Sequence, residues 1–96
     1  MECYEELAEI FRVLAGERVC EALLLLHKLE EATPTELARE MGVSGSRASQ
    51  IIANLRGAGL VKRKRRSGTK VVYSLTGYGR KIAEVGESLC RQLRTI

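Results

Sequence analysis

Apolar residues at Leu7, Ile10, Phe11 and Leu14 recur at the i, i+3, i+4, i+7 spacing, and Ala15-Gly16 follows them. The pattern predicts an amphipathic helix that ends there. From Glu17, "ERVCEALLLLHKLEE" is apolar nearly all round in its middle, through Leu23, Leu24, Leu25 and Leu26. A second helix is therefore expected to run through the centre of the fold, with Cys20 a small core residue on it and His27 packed or capping at its end. "TPTELAREMG" begins with helix-start chemistry: Thr33 as N-cap, Pro34 at the first helical position, Glu36 placed to close a capping box, and Gly42 as the stop. "VSGSRASQIIANLRGAGL" starts again with Ser44 as cap and runs until Gly57 and Gly59. Two short helices joined by a Gly-containing turn make a helix-turn-helix candidate.

The pattern then changes period. In "GLVKRKRRSGTKVVYSL", residues 59–75, two short arms flank a turn at Ser67, Gly68 and Thr69, and β-branched and aromatic residues fill the second arm. This reads as an antiparallel ribbon. Alternate side chains of a ribbon face opposite ways, so Lys62, Lys64 and Arg66 are expected on one face and Arg63 and Arg65 on the other. "TGYGRKIAEVGESLCRQLRTI" closes the chain with Thr76 as cap and Ile82, Val85, Leu89, Leu93 and Ile96 at helical spacing. The whole, residues 1–96, is expected to be a single domain, mainly α with a two-stranded β-ribbon.

Charge sharpens the picture. Residues 1–42 hold 4 Lys/Arg against 10 Glu, net −6, and residues 43–96 hold 12 against 2, net +10, which closes on the overall +4. A basic field confined to the second half attracts polyanions. No run approaches the roughly 18 apolar residues of a membrane span, and the acidic first residues do not form a secretory signal, so a cytoplasmic location is expected.

The second helix of the candidate pair divides cleanly at about 100° per residue. Ala48, Ile51, Ile52 and Leu55 point one way; Ser46, Gln50, Ala53 and Gly57 point the other, with Arg47 and Asn54 on one flank and Ser49 on the opposite flank. Arg and Gln side chains can make bidentate hydrogen bonds to guanine and adenine edges, Ser serves bases or phosphates, and a small residue lets a helix sit close. The basic ribbon would add counterion displacement along a nucleic-acid backbone.

In order and spacing these elements resemble the winged helix-turn-helix transcriptional regulators. Residues 33–76 look like the stretch of ArsR-type and MarR-type repressors in which a helix-turn-helix is followed by "GLV" and the wing. "IFRVLAGERVCEALLLL" resembles the ArsR-type lead-in helices, and "LTGYGRKIAE" the MarR-type entry to the last helix. The resemblance implies a homodimeric, sequence-specific regulator of double-stranded DNA, most often a repressor, with two recognition helices roughly 34 Å apart. Its DNA-binding residues would be Ser44, Ser46, Arg47, Ser49 and Gln50, and in the wing Arg63, Lys64, Arg65, Arg66, Thr69 and Lys70. Dimerisation would use Leu7, Ile10 and Phe11 of the first helix and Ile82, Val85, Leu89 and Leu93 of the last. Because the family brings those two helices together, Cys3 and Cys90 become a candidate redox pair.

The chain departs from the metal-sensing members. Thr35 to Glu40 contains no cysteine, the last helix contains no His, and His27 stands alone, so no metal or cofactor is expected. No nucleophile stands beside a base at a recognisable spacing, and no glycine loop suits a phosphate, which argues against an enzyme. The rival readings are a winged-helix module that binds protein and an architectural protein that binds DNA without sequence preference. The first has no need of Arg47 and Gln50 beside a basic wing, and the second needs the charge but not the base readers.

Overall fold

The computed structural model of the chain describes residues 3–65, 68 and 70–95. The order is α1 (Tyr4–Leu14), α2 (Val19–Leu29), β1 (Glu31–Ala32), α3 (Pro34–Met41), α4 (Gly45–Gly57), β2 (Val61–Arg65), β3 (Val71–Leu75) and α5 (Gly77–Arg94). No helix among the described residues is long and apolar enough to cross a membrane.

Local chemistry starts and stops these helices. At α3 the Thr33 hydroxyl accepts the Glu36 N–H at 3.1 Å while the Glu36 carboxylate accepts the Thr33 N–H at 2.8 Å. Together they form a closed capping box, and the hydrogen bond from the Thr33 backbone holds the Glu36 carboxyl below the usual carboxylate range. Gly42 ends α3 at φ +69, a left-handed conformation that favours glycine. Ser44 caps α4 by accepting the Arg47 N–H at 3.1 Å, and Thr76 caps α5 by accepting the Gly79 N–H at 2.9 Å. The second helix begins two residues later than the apolar pattern suggested. Arg18 takes a left-handed φ of +62 ahead of Val19, because the chain must turn out of α1 there.

The three strands form one antiparallel sheet in the order β1-β3-β2. The expected two-stranded ribbon thus has a third member: Glu31 and Ala32 pair with Ser74 and Tyr73. Below the sheet, α2 is the central element, touching α1, α3, α4, α5, β1 and β3. Leu23, Leu26, Leu37, Ile51, Leu55 and Leu60 are its fully buried large neighbours and members. Each such side chain contributes about 1.5–3 kcal/mol on leaving water.

Two corrections follow from this packing. Ile10 is buried in that core, because the inner side of α1 must cover α2, and so is not available to a second copy. Ile82 is half-buried and packs on the same core, leaving only the outer part of the α5 stripe open.

The start of α5 is fixed to the loop after α4. The Thr76 hydroxyl donates to the Gly59 carbonyl at 2.7 Å, and the Thr76 N–H donates to the Leu60 carbonyl at 3.0 Å. Gly79 lies so close to the same loop that a Cβ there would meet the Leu60 carbonyl oxygen at 2.0 Å. The wing and the last helix are therefore set by one tight junction.

Candidate nucleic-acid interface

On α4, Ala48, Ile51, Ile52 and Leu55 are all buried, and Ser46, Ser49, Gln50, Ala53, Asn54 and Gly57 are exposed, as the helical arithmetic required. Ser44 is exposed at the cap with its hydroxyl oxygen engaged by the helix backbone. Arg47 is half-buried and lies against the turn before α2. Its Nη2 donates to the Glu17 carbonyl at 2.9 Å and stands 3.5 Å from the Glu17 carboxylate, and its Nη1 donates to Gln50 Oε1 at 3.1 Å. The two base-reading candidates are thus joined to each other.

The wing register sorts the basic side chains. Arg63 pairs with Tyr73 and Arg65 with Val71, whereas Lys62 pairs with Ser74 and Lys64 with Val72. Directly opposed residues share a face of a sheet, so Arg63, Arg65 and Tyr73 stand on one side. The Arg56 guanidinium of α4 lies 5.9 Å over the centre of the Tyr73 ring, a cation–π contact that joins this side to α4. Arg56 escaped the sequence reading. Its signal was helical spacing, since Ser49, Ala53 and Arg56 share a flank of α4.

Lys64 faces the other way. Its Nζ is 3.9 Å from the Glu31 carboxylate, and with Lys62, Ser74, Glu30 and Arg80 it lines a cavity of about 360 Å³. Lys70 is exposed near α3, where its charge helps to lower the Glu36 pKa after the Thr33 hydrogen bond. Arg66 and Thr69 lie outside the described residues.

Of the expected association residues, Leu7, Phe11, Val85, Leu89 and Leu93 are exposed, joined by Tyr4 and Tyr78. Ile96 lies outside the described residues. All three cysteines are free and exposed. Cys20 is therefore not a core residue: it takes the side of α2 that turns to α5. α2 and α5 pack against one another. A Cβ on Gly86 would sit 3.5 Å from Leu24, and His27 Nδ1 is 3.2 Å from a Glu87 carboxylate oxygen. One turn before Leu24 and one turn after Gly86 come Cys20 and Cys90. Desolvation first, and the nearby Cys90 second, hold the Cys20 thiol above the ordinary thiol range. Cys20 and Cys90 thus come near enough on these two helices for their charges to interact. Among the described residues no three His, Cys, Asp or Glu side chains gather to hold a metal ion.

The MarR family model matches residues 18–70, more than half the chain and the whole stretch from α2 through β2. The chain belongs to the MarR family. MarR-family proteins are winged-helix DNA-binding transcriptional regulators, and solved structures share the fold. HlyU from Vibrio cholerae N16961 is 26% identical with a TM-score of 0.78, over 93% of this chain and 96% of that one. FabT of Streptococcus pneumoniae, solved in complex with DNA, is 21% identical with a TM-score of 0.75, over 81% of this chain and 56% of FabT. The transcriptional repressor PagR of Bacillus anthracis is 23% identical with a TM-score of 0.71, over 84% and 92%. At their identities FabT and PagR speak to the fold alone. No curated protein matches in sequence.

Proposed function

We propose that this MarR-family chain is a sequence-specific regulator of double-stranded DNA, a repressor that works as a homodimer from a single winged-helix domain in the cytoplasm. On this reading α4 lies in the major groove, with Ser46, Ser49 and Gln50 toward base edges and phosphates and Arg47 swinging to join them. Arg56, Arg63 and Arg65 lie along the backbone, and the exposed apolar stripes of α1 and α5 join two copies. Neither metal nor cofactor enters the scheme. The observation that carries it is the Arg56–Tyr73 contact, which makes the arginine face of the wing continuous with the recognition helix. The ArsR-type subtype remains part of the proposal, supported by the way α1 and α2 precede the helix-turn-helix. PagR, a named repressor, and FabT, seen on DNA, share the fold and support the same direction.

Fluorescence anisotropy on duplex from upstream of the chain's own gene and from other candidate operators, against shuffled duplex in a salt series, tests this. A preference of about 1000-fold or more with a steep salt slope is expected. Equal binding to every duplex, with the same slope, would instead mark an architectural protein.

A second reading, thiol control, is favoured by the Cys20–Cys90 placement rather than by Cys3. A peroxide takes two electrons and both thiol protons from the pair, leaving an S–S bond between α2 and α5 and water as the reduced product. Because the Cys20 thiol is held protonated at neutral pH, this oxidation should accelerate as pH rises. Mass mapping after peroxide should find Cys20 linked to Cys90; unlinked thiols together with unchanged DNA affinity would exclude it.

A further inference from the structure

Two arginines clasp the α1–α2 turn to the helix-turn-helix. From the turn, Arg18 donates through Nε and Nη2 to the two Glu21 carboxylate oxygens, both at 2.9 Å, and through Nη2 to the carbonyl of Met41, the last residue of α3, at 2.8 Å. From the opposite side, Arg47 near the start of α4 donates to the carbonyl of Glu17. The turn is thereby tied to the end of one helix of the motif and the beginning of the next. It lies outside the motif itself.

The second tie has a cost for recognition. A guanidinium offers five N–H donors in a fixed fork, and reading a guanine takes two of them, aimed together at O6 and N7. In Arg47 one terminal nitrogen is engaged by the Glu17 carbonyl and faces the Glu17 carboxylate, while the other holds Gln50 Oε1. Gln50 in turn has its amide oxygen, the acceptor that an adenine amino group needs, occupied by Arg47. Both side chains are thereby aimed at each other and at Glu17, and turning them to face base edges exchanges these contacts for ones to DNA. Glu17 is 81% exposed, so its carboxylate holds Arg47 as a hydrated, salt-screened counterion rather than a buried lock.

We infer that Glu17 is an affinity-determining residue that competes with DNA for Arg47 from outside the helix-turn-helix. This rests on the proposed base-reading role of Arg47. The side chain sets how tightly the operator is held without touching it. Shuffled DNA, which draws less on Arg47, should feel the competition less.

A double-mutant cycle read by anisotropy tests it, using Glu17→Gln, Arg47→Ala and both together on the preferred duplex and its shuffled counterpart. Glu17→Gln keeps the carbonyl contact and removes the charge. It should tighten the preferred duplex by about two- to fivefold, the range of an exposed ion pair. In the Arg47→Ala background the same change should tighten little or not at all. The cycle separates this from general relief of repulsion between an acidic residue and DNA, which would act in both backgrounds alike. Equal tightening in both, or none in either, overturns the inference while leaving the base-reading proposal standing if Arg47→Ala alone relaxes sequence preference. If Arg47→Ala changes neither affinity nor preference, the base-reading role fails and the inference fails with it.

Discussion

Along α4, Ala48, Ile51, Ile52 and Leu55 are all buried inside the chain; along α5 only Gly79 and Ala83 are, and Val85, Leu89 and Leu93 stand open to solvent. Both helices carry apolar residues at helical spacing, so the difference lies in what surrounds them. α4 is enclosed by α2, α3 and β2, whereas α5 packs on α2 and β3 and continues past the core. An apolar stripe that the chain's own core absorbs specifies the fold, and one left uncovered on a small domain specifies association. On the proposed reading the two helices divide the work: α4 offers a polar face to DNA from a rigid seat, and α5 offers an apolar face to a second copy.

The comparison can be broken most severely at the seat of α4. Leu55→Ala, at a fully buried position, should cost about 2–5 kcal/mol in urea unfolding, and Leu89→Ala far less per chain. Comparable losses at both sites would mean that the α5 stripe is core after all. Within α5, Gly79→Ala should cost about 1–3 kcal/mol because its methyl would collide with the Leu60 carbonyl, whereas Gly86→Ala finds ordinary contact with Leu24. Thermal melts of the two variants sharpen where α5 stops being part of the core. Leu89→Glu should preserve the helical circular-dichroism spectrum while weakening self-association by about tenfold or more, as burying a charge in an apolar contact demands. Sedimentation velocity over a dilution series measures that shift.

The smallest effect is acid sensitivity at α3. Since folding lowers the Glu36 pKa, its stabilising contribution is present above the ordinary carboxylate range and is lost as pH falls through the lowered value. Melting temperature followed from neutral pH into that range should fall less steeply for Glu36→Gln. Identical slopes would remove the capping box as a source of acid sensitivity.

Features set by neighbours along the chain are legible in the sequence. The caps at Thr33, Ser44 and Thr76, the inward face of α4 and the alternation of the wing all depend on residues within a turn or a strand of one another. What escaped depends on distant partners. β1 is two residues long and exists because Ser74 and Tyr73 arrive beside it, so no local pattern announced it. Ile10 looks like its exposed neighbours Leu7 and Phe11, and only the position of α2 decides which of them is covered. The apolarity of α2 suggests a core position for Cys20, but its direction around that helix leaves it exposed, with the charge of Cys90 felt nearby. The docking of Arg47 on Glu17 joins residues 30 apart in sequence, and neither side chain signals it alone. Helix faces and strand alternation were thus readable from the sequence, whereas the contacts that set the geometry of the candidate interface were not.

The central claim is that α4 serves DNA while α5 serves a second copy, and native mass spectrometry of the complex on the preferred duplex tests it most directly. Two chains per duplex for the unaltered protein, and loss of the two-chain complex with Leu89→Glu, is the expected result. One chain per duplex, or a two-chain complex indifferent to Leu89→Glu, would contradict the account.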